Sequence, residues 1–280
     1  MSADVVALVL FAALMHAGWN ALVKAGTDTF LTTVLVAGGA GLLAALALPF
    51  LAAPAAPSWP FLAASAATQW FYYALLAAAY RHGDMSHAYP LMRGSAPLLV
   101  ALASGPLLGE RLSTQQSVAL ACICGGIFSL YFAARGGAAG ARRSTLFALL
   151  NAGVIAAYTL IDGIGVRRSG APAAYTMWIF LLTGAGLLAW TLARRRAALI
   201  AYAGAHWRVA ALGGFGTLAS YGLALWAMTR APVAAVAALR ETSILFALAI
   251  AALFLREKIN RRRYCAGALI AAGAVLMRFA

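Results

Sequence analysis

The chain has 280 residues, of which 64% are hydrophobic and only 10% charged, against roughly 25% charged in an ordinary globular domain. Its mean hydropathy is +0.87, which excludes an ordinary water-soluble domain and makes lipid the solvent for most of the chain. A net charge of +14 would suit a nucleic-acid binder, but the Lys and Arg residues sit in short clusters between apolar runs, where they act as topology signals, so no nucleic-acid partner is expected.

A bilayer core takes about 20 mostly apolar residues per helix. Windows of that length fall at 4–23, 30–51, 60–80, 86–108, 114–133, 144–166, 173–193, 206–229, 233–255 and 262–279. Strands of a β-barrel would instead alternate over segments of about 10 residues. The reading is an all-α integral membrane protein of ten transmembrane helices. Its N-terminus lacks the basic start of a cleavable signal and is taken as the first span.

Along the chain, helix 1 carries His16, Asn20 and Lys24 on one face, with Trp19 beside them. That stripe either lines something polar or binds neighbouring helices, with Lys24 snorkelling to the interface. Pro54, Pro57 and Pro60 precede helix 3, which carries Trp70, Tyr73 and Tyr80. Helix 4 holds Tyr89 and Arg93 between prolines 90 and 97, which remove backbone hydrogen bonds and favour a kink. Cys122, Cys124 and Cys265 read as buried thiols, and no zinc-type spacing is present, so no metal is expected. Gly136, Gly137 and Gly140 break the chain before helix 6, whose stripe is Asn151, Tyr158 and Asp162. Asp162 sits either in the stripe or near the interface. Helix 8 offers Tyr221 and Trp226, helix 9 Arg240 and Glu241, and Trp59 and Trp207 read as an interfacial aromatic belt.

An ionisable group at bilayer depth costs about 2.5 to 3.5 kcal/mol on insertion scales. Arg93, Arg240 and Glu241 therefore need partners or a function, and together they carry a charge of +1. Glu241 either neutralises one arginine as a structural ion pair or, with His16, takes part in coupling or gating. A positive excess at low dielectric favours a ligand with a carboxylate or phosphate-like group, and the aromatic residues offer flat walls and cation–π contacts to an ammonium. The candidate substrate-binding residues are Arg93, Arg240, Glu241, His16, Trp19, Asn20, Tyr73, Tyr80, Tyr89, Tyr158, Tyr221 and Trp226.

The second half of the chain echoes the first. YALLAAAY, starting at Tyr73, is followed by Arg93 and by Glu110 in LLGERLS; YGLALWAM, starting at Tyr221, is followed by Arg240 and by Glu257 in FLREKIN, with the same spacing from arginine to glutamate. Gly126 and Gly273 then follow each glutamate at equal distance. Five spans per half is odd, so equivalent helices cross the membrane in opposite directions, as in inverted-repeat secondary transporters. The expected halves are residues 1–137 and 138–280.

The two five-helix halves, Trp19 with Lys24 in an early span, and the GER turn after helix 4 resemble the drug/metabolite transporter superfamily with EamA-type repeats; FLREKIN lacks the glycine of that turn. The resemblance implies a secondary transporter working by alternating access in a bacterial-type inner membrane, with a central cavity lined mainly by helices 1, 3, 4, 6, 8 and 9. It includes amino-acid exporters of the YddG kind, so the expected cargo is a small zwitterionic or anionic metabolite, an amino acid or related compound, moved by export. The alternatives are a flippase for a lipid-linked substrate and a transporter of phosphorylated or phosphonate metabolites. No HExxH, GxSxG or P-loop motif is present, so neither enzyme chemistry nor a cofactor is expected. The expected partners are the substrate, the lipid bilayer and a coupling proton or none, with the protein a monomer or weak oligomer. Basic loops after odd-numbered helices place both termini outside.

Overall fold

The computed structural model describes residues 1–82, 85–133, 141–253 and 261–280. The expectations for the Tyr80 side chain, for the glycine turn at 134–140 and for Glu257 lie outside the described residues. Every regular element described is helical: α1 (Ala3–Ala25), α2 (Thr29–Ala47), α3 (Trp59–His82), α4 (Met85–Leu108), α5 (Thr114–Ala133), α6 (Ala141–Ser169), α7 (Pro172–Met228), α8 (Val233–Arg240), α9 (Ser243–Leu253) and α10 (Arg261–Phe279), with two short 3₁₀ turns between α2 and α3. Among the described residues, 7 helical stretches are long and apolar enough to cross a bilayer. Large apolar side chains such as Phe11, Leu42, Phe50, Phe71 and Leu102 face outward. An outer surface of that kind is stable in lipid and costly in water; the chain is an integral membrane protein.

The helices start and stop for local reasons. Asp28 caps α2 by accepting from the Leu31 backbone N–H at 2.9 Å. Gly109 and Gly170, just past α4 and α6, have φ of 69° and 63°, a left-handed turn that glycine adopts without strain. The α4 helix runs through Pro90, Pro97 and Pro106 as one element.

The 57-residue α7 is not one straight rod. Its Gly184 faces Ala37 and Gly41 of α2, and its Gly214 faces Gly39 and Ala40 of the same helix. A straight helix from 184 to 214 would span about 45 Å, so α7 doubles back, bending at Arg195 (φ −141°) and His206 (φ −125°), the two residues with non-helical backbone. Glycines let these backbones touch: a Cβ on Gly184 would lie 2.5 Å from the Ala37 carbonyl oxygen. Gly126 and Gly273 do the same between α5 and α10, where their added Cβ atoms would meet the carbonyl oxygens of Ala266 at 2.9 Å and Ala119 at 2.7 Å.

Where a single helix over 233–255 is expected, the structure breaks it into α8 and α9. The N–H groups of Glu241, Thr242, Ile244 and Leu245 bond three residues back instead of four, and the Thr242 hydroxyl donates to the Leu239 carbonyl at 2.7 Å. This tightened turn falls on Arg240, Glu241 and Thr242. The cysteine expectation is corrected in part. Cys124 is buried, but Cys122 is half-buried and Cys265 is exposed, because α10 turns that face out of the bundle.

Two opposite ends of the bundle can be told apart by their turns. At one end Tyr202, in the bent middle of α7, meets the turn before α2, with its hydroxyl 2.7 Å from Thr32 Oγ1 and accepting from the Asp28 N–H at 3.4 Å. At the other end the Ala55 N–H donates to the Ser169 carbonyl at 2.9 Å. There, too, Arg167 donates to Glu110 at 2.6 Å, and Glu110 accepts from the Val233 N–H at 2.8 Å, anchoring the start of α8. Arg167 also donates to the carbonyls of Met228 and Ala231, and Arg278 to that of Met1.

Candidate functional site

The α8 helix is buried along its whole length, from Val233 to Arg240, so its C-terminal arginine arrives inside the bundle with no route to water except a cavity. Such a cavity exists, with a volume of about 90 Å³. It is lined from α1 by His16, Trp19 and Asn20; from α3 by Gln69, Tyr72 and Tyr73; from α4 by Tyr89 and Arg93; from α6 by Tyr158; from α7 by Phe180, Thr217, Ser220 and Tyr221; and from α8 by Arg240.

Two of the lining residues, Arg93 and Arg240, are charged. Arg93 Nε donates to Glu241 Oε2 at 2.8 Å, an ion pair joining α4 to the turn after α8. Arg93, Arg240 and Glu241 retain only 8%, 9% and 4% of their accessible surface. At such burial desolvation is costly for each group, and their mutual attraction at low dielectric offsets that cost only while they stay paired. Glu241 therefore answers Arg93, from the other half of the chain, and not its neighbour Arg240. The Arg240 guanidinium instead lies 4.9 Å over the ring of Tyr221.

The rings form a connected wall. Tyr72 meets Tyr158 edge-on at 6.1 Å, Tyr158 meets Tyr221 at 6.2 Å, and Phe180 meets Tyr221 at 6.1 Å. His16 and Trp19 pack edge-to-face at 5.2 Å, and Asn20 donates its amide to the His16 carbonyl at 2.8 Å.

Three buried polar atoms on lining residues have no hydrogen-bond partner among the described residues: Arg93 Nη2, Trp19 Nε1 and Ser220 Oγ. Each can donate. Orphaned buried donors cost about 1–3 kcal/mol apiece, and all three belong to residues that line one cavity.

Of the residues singled out in the sequence, His16, Trp19, Asn20, Tyr73, Tyr89, Arg93, Tyr158, Tyr221 and Arg240 line the cavity. Glu241 stands behind the lining as the partner of Arg93. Trp226 is elsewhere, its ring under the Arg230 guanidinium at 4.7 Å, because it follows Tyr221 by five residues and so leaves that face of the helix. Trp70 is half exposed against Gly186 and also leaves the site. Asn151 is buried, donating to Met92 Sδ at 3.1 Å, and lines no part of it.

Asp162 is fully buried among the helices. It accepts from the Tyr175 hydroxyl at 3.1 Å and from the Tyr221 hydroxyl. Gln69, Tyr72, Phe180, Thr217 and Ser220 complete the lining and escaped the sequence reading. A spacing signal was there to find: Thr217, Ser220 and Tyr221 repeat at i, i+3 and i+4, as do Gln69, Tyr72 and Tyr73.

Residues 142–279 match the model of the EamA-like transporter family. No curated protein matches the chain. A solved structure described only as a crystal structure of a protein superposes with a TM-score of 0.77 at 19% identity, covering 99% of each chain, and so shares the fold.

Proposed function

The chain carries an EamA-like transporter domain, and we propose that it is a secondary transporter carrying a small metabolite with at least one carboxylate through the cavity between Arg93 and Arg240. The observation behind this reading is the trio of donors without a partner among the described residues, Arg93 Nη2, Trp19 Nε1 and Ser220 Oγ, on residues lining a pocket that also holds the Arg240 guanidinium. A carboxylate has about four lone-pair sites and is the acceptor that such donors suit. The ring wall of Tyr72, Tyr158 and Tyr221 suits the rest of an amino acid or related acid, including an ammonium group.

Ten spans in two inverted five-helix halves, at 1–137 and 138–280, complete the proposal. Three features support it: the doubling of α7 into two arms, the arrival of Arg93 and Arg240 at one cavity from equivalent places in the two halves, and the pairing of α5 with α10 through the echoing glycines Gly126 and Gly273. A cavity of about 90 Å³ holds roughly three waters and is smaller than the roughly 300–1,000 Å³ of ligand pockets. A substrate enters only when helices part, which is the motion alternating access requires.

The test is uptake of radiolabelled amino acids, other carboxylic acids and phosphorylated metabolites into proteoliposomes. Transport of carboxylates, with loss on decarboxylation of the same compound, supports the reading. Preference for phosphate esters moves it to phosphorylated cargo. Scrambling of labelled lipid with no uptake of any soluble compound replaces it with a flippase.

A further inference from the structure

We propose that Asp162 is a proton-binding site coupled to the cavity, taking up a proton when an anionic group settles beside Arg240. The inference rests on the transport reading above for the anion, and on separate geometry for the proton. Asp162 has no accessible surface, and both its oxygens are engaged, Oδ1 by Tyr175 and Oδ2 by Tyr221. Tyr221 is also a wall of the cavity and the ring beneath the Arg240 guanidinium. One side chain thus touches the carboxylate, the cation and the substrate space together.

Gln69, on the cavity lining, donates to Ser65 Oγ at 3.2 Å, and Ser65 is a buried neighbour of Asp162. The Tyr221 route needs no water molecule between Asp162 and the cavity wall.

The charge count supplies the coupling. Arg93 and Glu241 cancel as an ion pair. With Asp162 ionised, its charge offsets that of Arg240, and the site keeps its neutral donors but no net charge to offer an anion. With Asp162 protonated, Arg240 is uncompensated and the site carries the +1 that a carboxylate needs. Anion and proton therefore favour one another's binding, and the effect is reciprocal.

The groups facing Asp162 fit this role. The α7 helix presents Tyr175 and Tyr221, α8 brings Arg240 over the Tyr221 ring, α3 contributes Ser65 nearby, and α6 itself carries Tyr158 one turn away. Arg240 is the one charge among them. The step is a proton transfer from water to an Asp162 oxygen, with the phenols remaining donors or turning to accept; no substrate bond is made or broken. An anion and a proton carried together move no net charge for a monocarboxylate, so an accumulated acid can leave down its own gradient.

The experiment is a pH titration of the full chain in lipid by infrared difference spectroscopy, from about pH 5 to 9, with and without saturating benzoate as probe anion. Wild type should show a protonated-carboxyl band on acidification. Asp162→Asn should lack it, Asp162→Glu should keep it at an altered frequency, and His16→Gln and Glu241→Gln should retain it. Benzoate should move the midpoint to higher pH, with an effect on proton affinity on the order of tenfold. An unchanged band in Asp162→Asn, or disappearance of the band in Glu241→Gln with persistence in Asp162→Glu at the wild-type frequency, overturns the assignment. A benzoate complex that raises the melting temperature without moving the midpoint overturns the coupling. If benzoate does not bind while the band still follows Asp162, the proton site stands and the anion reading of the cavity falls.

Discussion

Arg93, which lines the cavity, spends one nitrogen on Glu241 and leaves Nη2 without a partner among the described residues. Lysine keeps the charge but has no planar fork with which to hold Glu241 and a substrate carboxylate together. A charge-assisted hydrogen bond contributes about 1.5–3 kcal/mol, so Arg93→Lys should lower uptake roughly tenfold to a hundredfold in proteoliposomes matched for inserted protein, and Arg93→Gln should lower it further. Wild-type rates in both variants would make Arg93 a scaffold residue. Glu241 holds the other end of that pair, and removing one partner of a buried pair costs about 3–5 kcal/mol. Glu241→Gln should therefore lower the melting temperature, while its residual flux keeps the wild-type dependence on pH if the titrating group is Asp162; a flattened profile would return the coupling role to Glu241. The sequence displayed much of this site, because charged and aromatic residues are conspicuous in an apolar chain and His16, Trp19 and Asn20 share a helix face. It hid Gln69, Thr217 and Ser220, since uncharged polar residues are common in helices of small residues. It also hid the partner of Glu241, which lies 148 positions away.

Elements in lipid cannot gain by hiding apolar surface from water, so their association depends on close packing. The α2 helix shows this, since Gly184 and Gly214 bring both arms of α7 against its own glycines. Gly184→Val should overpack the contact with the Ala37 carbonyl and destabilise the fold by about 1–3 kcal/mol or more, read as a lower melting temperature in detergent. Gly153 on α6 is a matched control, because an added Cβ there meets nothing within 4 Å. Gly153→Ala should leave stability unchanged or raise it by about 0.5–1 kcal/mol, the ordinary helix preference for alanine. Equal losses in both variants would mean that helix propensity, not backbone contact, governs these glycines. That the chain is built of apolar helices was legible from hydropathy, whereas the tightened turn between α8 and α9 was not. It has no proline or glycine to announce it, and its shape comes from backbone bonds to Ala238 and Leu239 and from the Thr242 hydroxyl.

At the scale of the whole molecule the basic residues are sorted between the two ends of the bundle. The turn after α1 and the bent middle of α7 meet through Tyr202, and this end holds Lys24, Arg194, Arg195, Arg196 and Arg208. The described ends of α3, α6 and α10 add Arg81, Arg142, Arg143, Arg261, Arg262 and Arg263 by the same chain alternation. The opposite end, tied together by Glu110, Arg167 and Ser169 and by the bond from Arg278 to Met1, holds few: Arg111, Arg167, Arg168, Arg230 and Arg278. Basic residues in short loops resist translocation, which predicts the rich end in the cytoplasm and both termini outside. Contact between the termini makes the prediction stricter, because Met1 and Ala280 must report the same side. A single added cysteine before Met1, and separately one after Ala280, should both react with a membrane-impermeant maleimide in intact cells, while one replacing Tyr202 should react only after the membrane is opened. Protection of both termini with labelling at 202 would reverse the orientation but keep the two-ended architecture. Labelling of one terminus alone would contradict the architecture itself, since an odd number of crossings would then separate two ends that the structure holds 3.1 Å apart, from Arg278 Nη1 to the Met1 carbonyl.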